Sequence, residues 1–424
     1  MPTQKKILIV VESIDVEDSS GSKANVALIQ NLHKAGFEVL VYHYTRKEIQ
    51  LPGITCMAIK EKRWSGLFFL SRMERYIRTF LKLSLSKPLE KVFGFSFTLF
   101  NDRNSIVTAL RKIEGFNPDL VFTLSKGNSF RPHHALLKMP EWHYKWIAYI
   151  HDPYPMHAFP RPYDWVEPGH QQKRNFFLQV AEKSKYAAYP SKLLAVWMES
   201  YFPMLKGKAV IIPHQLQDEE YKEVKTLGVF NKKGFTIVHA GALMSARNPL
   251  ALINAYCQFL KDFPDAKTNS QLLFLGSKSI YTPTFLEVRK ETPQVYSSDA
   301  NLPFEIVLAI MRQASVNVIL EAKGPSSPFL PGKFPHCIQA NRPILLLGPF
   351  YSESKRLLGN DYPWWSEIDD QKRILLLIKQ IYLNWLENKA IRLNRPDLRG
   401  YLSEKFLKES IDKILTDSPI NREY

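Results

Sequence analysis

Disulfide chemistry is the first thing this sequence lacks. Three cysteines in 424 residues, Cys56, Cys257 and Cys337, are too few and too far apart for a disulfide framework or a zinc ligand set, which points to a reducing, cytosolic setting. No apolar run approaches a membrane span, and the run near the N-terminus, 7–11, is too short for a secretory leader. Acids are scarce beside bases, 41 against 57, for a formal net charge of +16. That excess implies an acidic partner: nucleic acid, an anionic membrane face or a phosphate-bearing small molecule. Zinc-finger spacing, an RNP-like aromatic motif and a basic low-complexity tail are all missing, so no nucleic acid is expected. No G-x-G-x-x-G fingerprint follows the first strand, so a dinucleotide site is not indicated.

What is present is length and alternation. The chain is long enough for two domains of roughly 200 residues each, and 45% apolar residues can fill two cores. Lys5 to Val11 reads as a buried parallel strand, 12–23 as a loop, 25–35 as a helix and 38–44 as a second strand, which makes a βαβ unit. Strands are expected at 54–59, 118–124 and from Trp146, and a helix at 104–115. After a polar stretch at 215–233 the alternation resumes, with strands at 235–241, 271–277, 315–321 and 344–347. Helices are expected at 250–263, 302–313, 334–340, 369–387 and 401–415, with 417–424 as a frayed end.

Three stretches carry chemistry. In 63–100, Arg72, Arg75, Arg78 and Lys82 recur at helical spacing among apolar residues such as Phe69, Met73, Tyr76 and Phe80. This describes either a basic amphipathic helix for an anionic membrane surface or a core helix whose arginines face water. Trp146 opens a strand that runs into His151 and Asp152, polar groups at a strand's carboxyl end, where open α/β sheets bind ligands; either could act as a general base. Finally, Pro331 and Gly332 set up a turn that places Lys333 at the start of a short helix, 334–340, where a cation beside helix N–H groups can hold phosphate.

The order Pro331-Gly332-Lys333-Phe334, the rest of a short helix to Ala340, then Asn341-Arg342-Pro343-Ile344 resembles the donor-site segment of GT-B glycosyltransferases, glycosyltransferase family 4 in particular. Gly241, followed by a loop to Arg247, is similar to that family's diphosphate-binding element, although Ala242 stands at its first basic position. The strand–Pro–Ser and Val-Ile-Pro-His pieces at 185–191 and 209–214 resemble the run that closes the family's first domain. The family's paired glutamates fall on Pro328 and His336, a departure from its pattern.

The resemblance implies an α/β fold of two Rossmann-like domains facing a cleft. Residues 1–214 would form the acceptor domain, 215–233 a linker, 234–395 the nucleotide-sugar domain and 396–424 a C-terminal helix crossing back to the first domain. It also implies metal-independent, retaining transfer from a nucleotide-sugar, UDP- or GDP-linked, to a glycan or lipid-linked acceptor, in cell-surface polysaccharide or glycolipid biosynthesis. No separate cofactor is expected, and no Asp-x-Asp pair offers a metal-bridged donor site. The expected catalytic set is His151, Asp152, Arg247 and Lys333, and the donor set is Gly21, Ser22, Gly241, Arg247, Lys333 and His336. Arg247 and Lys333 would stabilise the departing diphosphate; His336 would offer ribose one acceptor and one donor where a carboxylate offers two acceptors. The alternatives are a nucleotide-sugar epimerase and a catalytically silent GT-B protein scaffolding a membrane-associated glycan assembly. The expected location is cytoplasmic, peripheral on the inner face of the membrane.

Overall fold

A computed structural model describes residues 4–217 and 227–416. The chain divides into two compact units: Met1–Phe159 with Tyr163–Gln215 and Leu402–Tyr424, and Pro160–Pro162 with Leu216–Tyr401. Part of the expected linker, 218–226, and the expected frayed end, 417–424, lie outside the described residues.

Unit 1 is built on seven strands: β1 (Lys6–Val11), β2 (Glu38–His43), β3 (Thr55–Ala58), β4 (Leu120–Leu124), β5 (Trp146–Tyr149), β6 (Tyr186–Tyr189) and β7 (Ala209–Ile211). All pair in parallel, in the order β3-β2-β1-β4-β5-β6-β7. A parallel sheet is covered on both faces, which is why β1 is apolar at successive positions instead of alternating. Leu8 and Val10 enter one core, while Ile7, Ile9 and Val11 enter the other. Helix α1 (Ser20–Lys34) covers the second face, and the last helix, Glu404–Leu415, joins it there with Leu407, Ile411 and Ile414 buried. The chain therefore returns to unit 1 after completing unit 2. The C-terminal helix expected over 396–424 is two pieces among the described residues, of which Pro396–Tyr401 belongs to unit 2.

Two expectations for unit 1 need correction. α1 begins five residues before Asn25, because Ser19 caps it: the Ser22 N–H donates to Ser19 Oγ at 3.1 Å. Gly21 and Ser22 thus belong to a helix's first turn instead of a loop. Residues 63–100 form α2 (Gly66–Phe80), α3 (Ser86–Phe93) and the start of α4 (Phe97–Leu110), so α4 opens well before the expected 104. Ser65 and Ser96 cap α2 and α4. Between α2 and α3, Lys82 adopts φ 53°, which ends helical propagation. α2 buries only Ser71 and α3 buries none of its residues, which overturns the core-helix alternative.

Unit 2 has six parallel strands, β8 (Phe235–Ala240), β9 (Ser270–Leu275), β10 (Val295–Ser297), β11 (Val316–Leu320), β12 (Ile344–Leu347) and β13 (Trp365–Ser366). Their order is β10-β9-β8-β11-β12-β13. The helices Leu250–Asp262 and Gln371–Glu387 close one face, with Phe259, Tyr382 and Trp385 packed around Phe235. The helix Phe334–Ala340 and β12 occupy the expected positions. In both units β1 and β8, the first strands, lie inside the sheet, so the loops after them open at its carboxyl edge, where parallel sheets bind ligands.

Candidate active site

In unit 2, the carboxyl ends of β8 and β11 gather four ionisable side chains. His239 is fully buried in β8; its Nδ1–H donates to the Val318 carbonyl at 3.2 Å, leaving the Nε2 lone pair to accept from Lys333 Nζ at 3.1 Å. Burial, then Lys333 and Arg247, hold this imidazole well below its ordinary range, so it is neutral. Lys333, the residue before the helix Phe334–Ala340, has its ammonium pushed down to about 7, by burial first and by Arg247 second.

Gly241 follows β8 at φ 124°, and a Cβ there would lie 3.2 Å from Lys333 Nζ. Glycine meets both demands, the backbone conformation and the space for the ammonium. Arg247 follows in the same loop, its Nε buried and without a hydrogen-bond partner among the described residues. Neither Lys333 nor Arg247 forms an ion pair among those residues.

Glu321, next after β11, is buried, with both carboxyl oxygens outside hydrogen-bond geometry. Burial pushes it up to about 7, against the pull of the nearby Ser327 and Ser354 hydroxyls and the Arg247 guanidinium. Gly348 makes room for it, since a Cβ on Gly348 would sit 2.7 Å from Glu321 Cβ.

The structure therefore brings Gly241, Arg247 and Lys333 together and adds His239 and Glu321, which sequence reasoning missed. His336, one turn along the helix, packs its ring edge-on against Phe304 at 4.9 Å. The Arg247 guanidinium, a lysine and a carboxyl that are each half-ionised near pH 7, and a neutral imidazole leave an excess of positive charge. Such a site can accept a diphosphate, and an arriving anion favours the charged form of Lys333.

In unit 1, His151 is buried past the end of β5, its Nε2 2.8 Å from Asn25 Oδ1. Because Asn25 Nδ2 donates to the Ser125 carbonyl at 3.1 Å, Oδ1 is the acceptor and His151 carries its proton on Nε2. Burial, then the stacked His214 imidazole 5.8 Å away, keeps His151 neutral. Any base work at His151 thus falls to Nδ1. Asp152 is half-buried beside it. Gly21 is half-buried, whereas Ser22 is fully buried with its Oγ 3.0 Å from Ser19 Oγ.

A network that sequence reasoning also missed lies at the same sheet edge. Arg131 donates to Glu12 and to Asp102, each at 2.6 Å, and Asp102 also accepts from Tyr44 Oη at 2.7 Å and from Arg46 at 3.2 Å. Burial raises Glu12 above the usual carboxylate range, with Arg131 opposing. Arg131 lines a cavity of about 220 Å³ together with Tyr154, Glu90, Glu167 and Lys173, the lysine paired to both glutamates at 3.1 and 2.6 Å. The signal was present in the sequence: Glu12 and Glu321 each follow an apolar strand directly.

No family model matches the chain, and no curated protein matches it in sequence. Solved structures do match, over nearly the whole chain. The N-terminal domain of Candida albicans trehalose-6-phosphate phosphatase is 13% identical, with a TM-score of 0.63 over 98% of this chain and 97% of that one. An alpha,alpha-trehalose-phosphate synthase (UDP-forming) from Burkholderia xenovorans, in complex with glucose-6-phosphate, is 9% identical, with a TM-score of 0.62 over 97% of this chain and 100% of that one. A glycosyltransferase from Rickettsia africae is 11% identical, with a TM-score of 0.59 over 98% of each chain. At such identities the likeness is one of fold. The chain has the GT-B fold of two Rossmann-like domains, a fold it shares with these neighbours, a trehalose-phosphate synthase and a glycosyltransferase among them.

Proposed function

We propose that this chain is a glycosyltransferase that moves a sugar from a nucleotide-sugar, UDP- or GDP-linked, to a glycan or lipid-linked acceptor. The observation that carries the reading is the Lys333–Arg247 pair beside Gly241, two basic side chains without a paired anion among the described residues. Unit 2 would bind the donor and unit 1 the acceptor. As the bond from the anomeric carbon to the diphosphate breaks, Lys333 and Arg247 stabilise the charge gathering on the leaving oxygen. They supply this charge without a metal. With retention, the leaving phosphate takes the acceptor's proton and no protein nucleophile is required. With inversion, His151 Nδ1 or Asp152 would take it.

His336 remains the candidate for the donor ribose. Gly21 is the more accessible of the two candidate contacts on α1, since Ser22 is buried against Ser19. A UDP donor gains support from the UDP-forming synthase among the structural neighbours. Family 4 membership, a cell-surface polysaccharide or glycolipid pathway and cytoplasmic, membrane-peripheral work complete the proposal. Among the described residues no helix is long and apolar enough to cross a membrane.

Pro328 and His336 at the family's glutamate positions favour a silent binder as the second reading. Release of nucleotide from UDP- and GDP-sugars, with and without a glycolipid extract, tests all three. Acceptor-dependent release is expected; sugar isomerised without acceptor would make it an epimerase, and binding without turnover a scaffold.

A further inference from the structure

Among the described residues an extended apolar liability lies on α2, the turn after it and α3. Phe69, Met73, Tyr76 and Phe80 are between 54% and 67% exposed. At 100° per residue their positions fall within roughly 60° of one another, and Ser71, the one buried residue of α2, lies on the opposite side. The stripe therefore points directly away from the body of unit 1. Trp64 extends it at one end, with its ring 6.4 Å from Phe69, and Leu81, Leu83 and Leu85 extend it at the other, all exposed. Monomeric proteins rarely leave a contiguous patch of this kind in water without a partner for it.

Charge identifies the partner. Residues 60–93 carry nine Lys or Arg against three Glu. Two of those glutamates are already engaged, Glu61 with Arg72 at 3.5 Å and Glu90 with Lys173 at 3.1 Å. Lys82, Lys87 and Lys91, in the turn after α2 and in α3, are exposed; Arg75 and Arg78 are exposed too, but on the far side of α2 from the stripe. A second copy of the chain would bring this basic face against itself, because a two-fold contact pairs the same patch on both sides, and like charges would oppose it. An anionic bilayer satisfies both halves of the surface. Phosphate headgroups meet the cations, while aromatic rings, tyrosine and tryptophan above all, settle at the boundary of the acyl region.

We propose that α2, the 81–85 turn and α3 form a docking face that lies in the headgroup layer of an anionic bilayer. The face lies in the interface without spanning it: α2 has 15 residues and α3 has 8, whereas a span needs about 20 apolar ones. Lysine stems such as those of Lys82, Lys87 and Lys91 can lie against apolar surface while their charges reach the phosphates. Such a face would hold a transferase beside a lipid-linked acceptor, so its purpose rests on the proposed glycosyl transfer, although its detection does not.

Flotation of the full chain with vesicles tests it. Phosphatidylcholine vesicles carrying about 30% phosphatidylglycerol should capture the protein, pure phosphatidylcholine should not, and added salt should release it. Phe69→Ser with Phe80→Ser removes the apolar half, and Lys82→Gln with Lys87→Gln and Lys91→Gln removes three charges. Each set should weaken capture, the charge set by about a hundredfold. All five side chains are exposed, so unchanged circular dichroism and melting should accompany the loss. Equal capture by neutral and anionic vesicles, or none by either, would overturn the docking face. So would a dimer in sedimentation that the Phe69→Ser, Phe80→Ser variant dissolves. Sugar transfer to a soluble acceptor by a chain that ignores vesicles would overturn the docking face alone, and vesicle capture without donor binding would overturn the transferase reading alone.

Discussion

Binding of a nucleotide-sugar should take up a proton, and the amount follows from Lys333. Burial first and the nearby Arg247 guanidinium second bring its ammonium, which contacts a neutral imidazole, down to about 7. At pH 8 roughly nine in ten free molecules then hold the neutral amine, against about one in ten at pH 6. The diphosphate of a nucleotide-sugar has no titrating proton near neutrality, so any proton taken up goes to the protein. An opposite charge within about 4–6 Å raises the lysine by roughly 1–3 units, which returns at least half of it to the charged form at pH 8. Uptake should therefore be about 0.4 to 0.9 proton per ligand at pH 8 and about 0.1 at pH 6.

Calorimetric titration of UDP-glucose in buffers of different ionisation enthalpy reads this number directly. Glu321, pushed up to about 7, would respond to an anion in the same direction, so the experiment is best done in Glu321→Gln. Adding Lys333→Met should abolish the uptake. Uptake no larger at pH 8 than at pH 6, or unaltered by Lys333→Met, would refute the assignment of Lys333 to the diphosphate.

Three further perturbations probe the fold and the site. Gly241→Ala forces a Cβ onto a φ of 124° and to 3.2 Å from Lys333 Nζ. It should cost about 1–3 kcal/mol, lower the melting temperature by several degrees and weaken donor binding, read by differential scanning fluorimetry with and without ligand. His133 is fully buried, and burial pushes it down to about 3 from 6.5. A depressed histidine contributes stability above pH 6.5 that is lost as pH falls toward 3. Urea melts should therefore show about 2–3 kcal/mol less stability at pH 4.5 than at pH 7 from this residue, a difference that His133→Leu removes. Truncation before Leu402 strips Leu407, Ile411 and Ile414 from the core of unit 1. The loss is on the order of 5 kcal/mol, and calorimetry should show the unit 1 transition lowered or lost with that of unit 2 unmoved.

The alternation of strands and helices was legible because each parallel strand must be apolar on both faces and because punctuation bounds the helices. The helix Phe334–Ala340 was placed to the residue: Pro331 and Gly332 precede it, and Asn341, at φ 51°, ends it before Pro343. The start of α1 was not legible. Ser19 and Ser20 look like loop residues until the Ser22 N–H is seen on Ser19 Oγ. β10 and β13, of three and two residues, are too short for any periodicity.

In the site, Gly241, Arg247 and Lys333 could be found by the order of motifs along the chain. The partnership of Lys333 with His239 spans 94 residues and is made by sheet order, which no local pattern reveals. The Arg131 network has the same origin, joining Glu12 and Asp102 across 119 and 29 residues. A charged residue directly after an apolar strand was the available clue.

The most direct test of nucleotide-sugar binding is a thermal-shift panel of UDP, GDP, ADP and CMP with their sugars, on the wild type and on Arg247→Ala with Lys333→Ala. A ligand that binds only the native state raises the melting midpoint by mass action. One nucleotide class, with UDP the expected one, should stabilise the wild type and leave the double variant unmoved. No stabilisation by any of them at millimolar concentration, or the same shift in both proteins, would contradict the assignment.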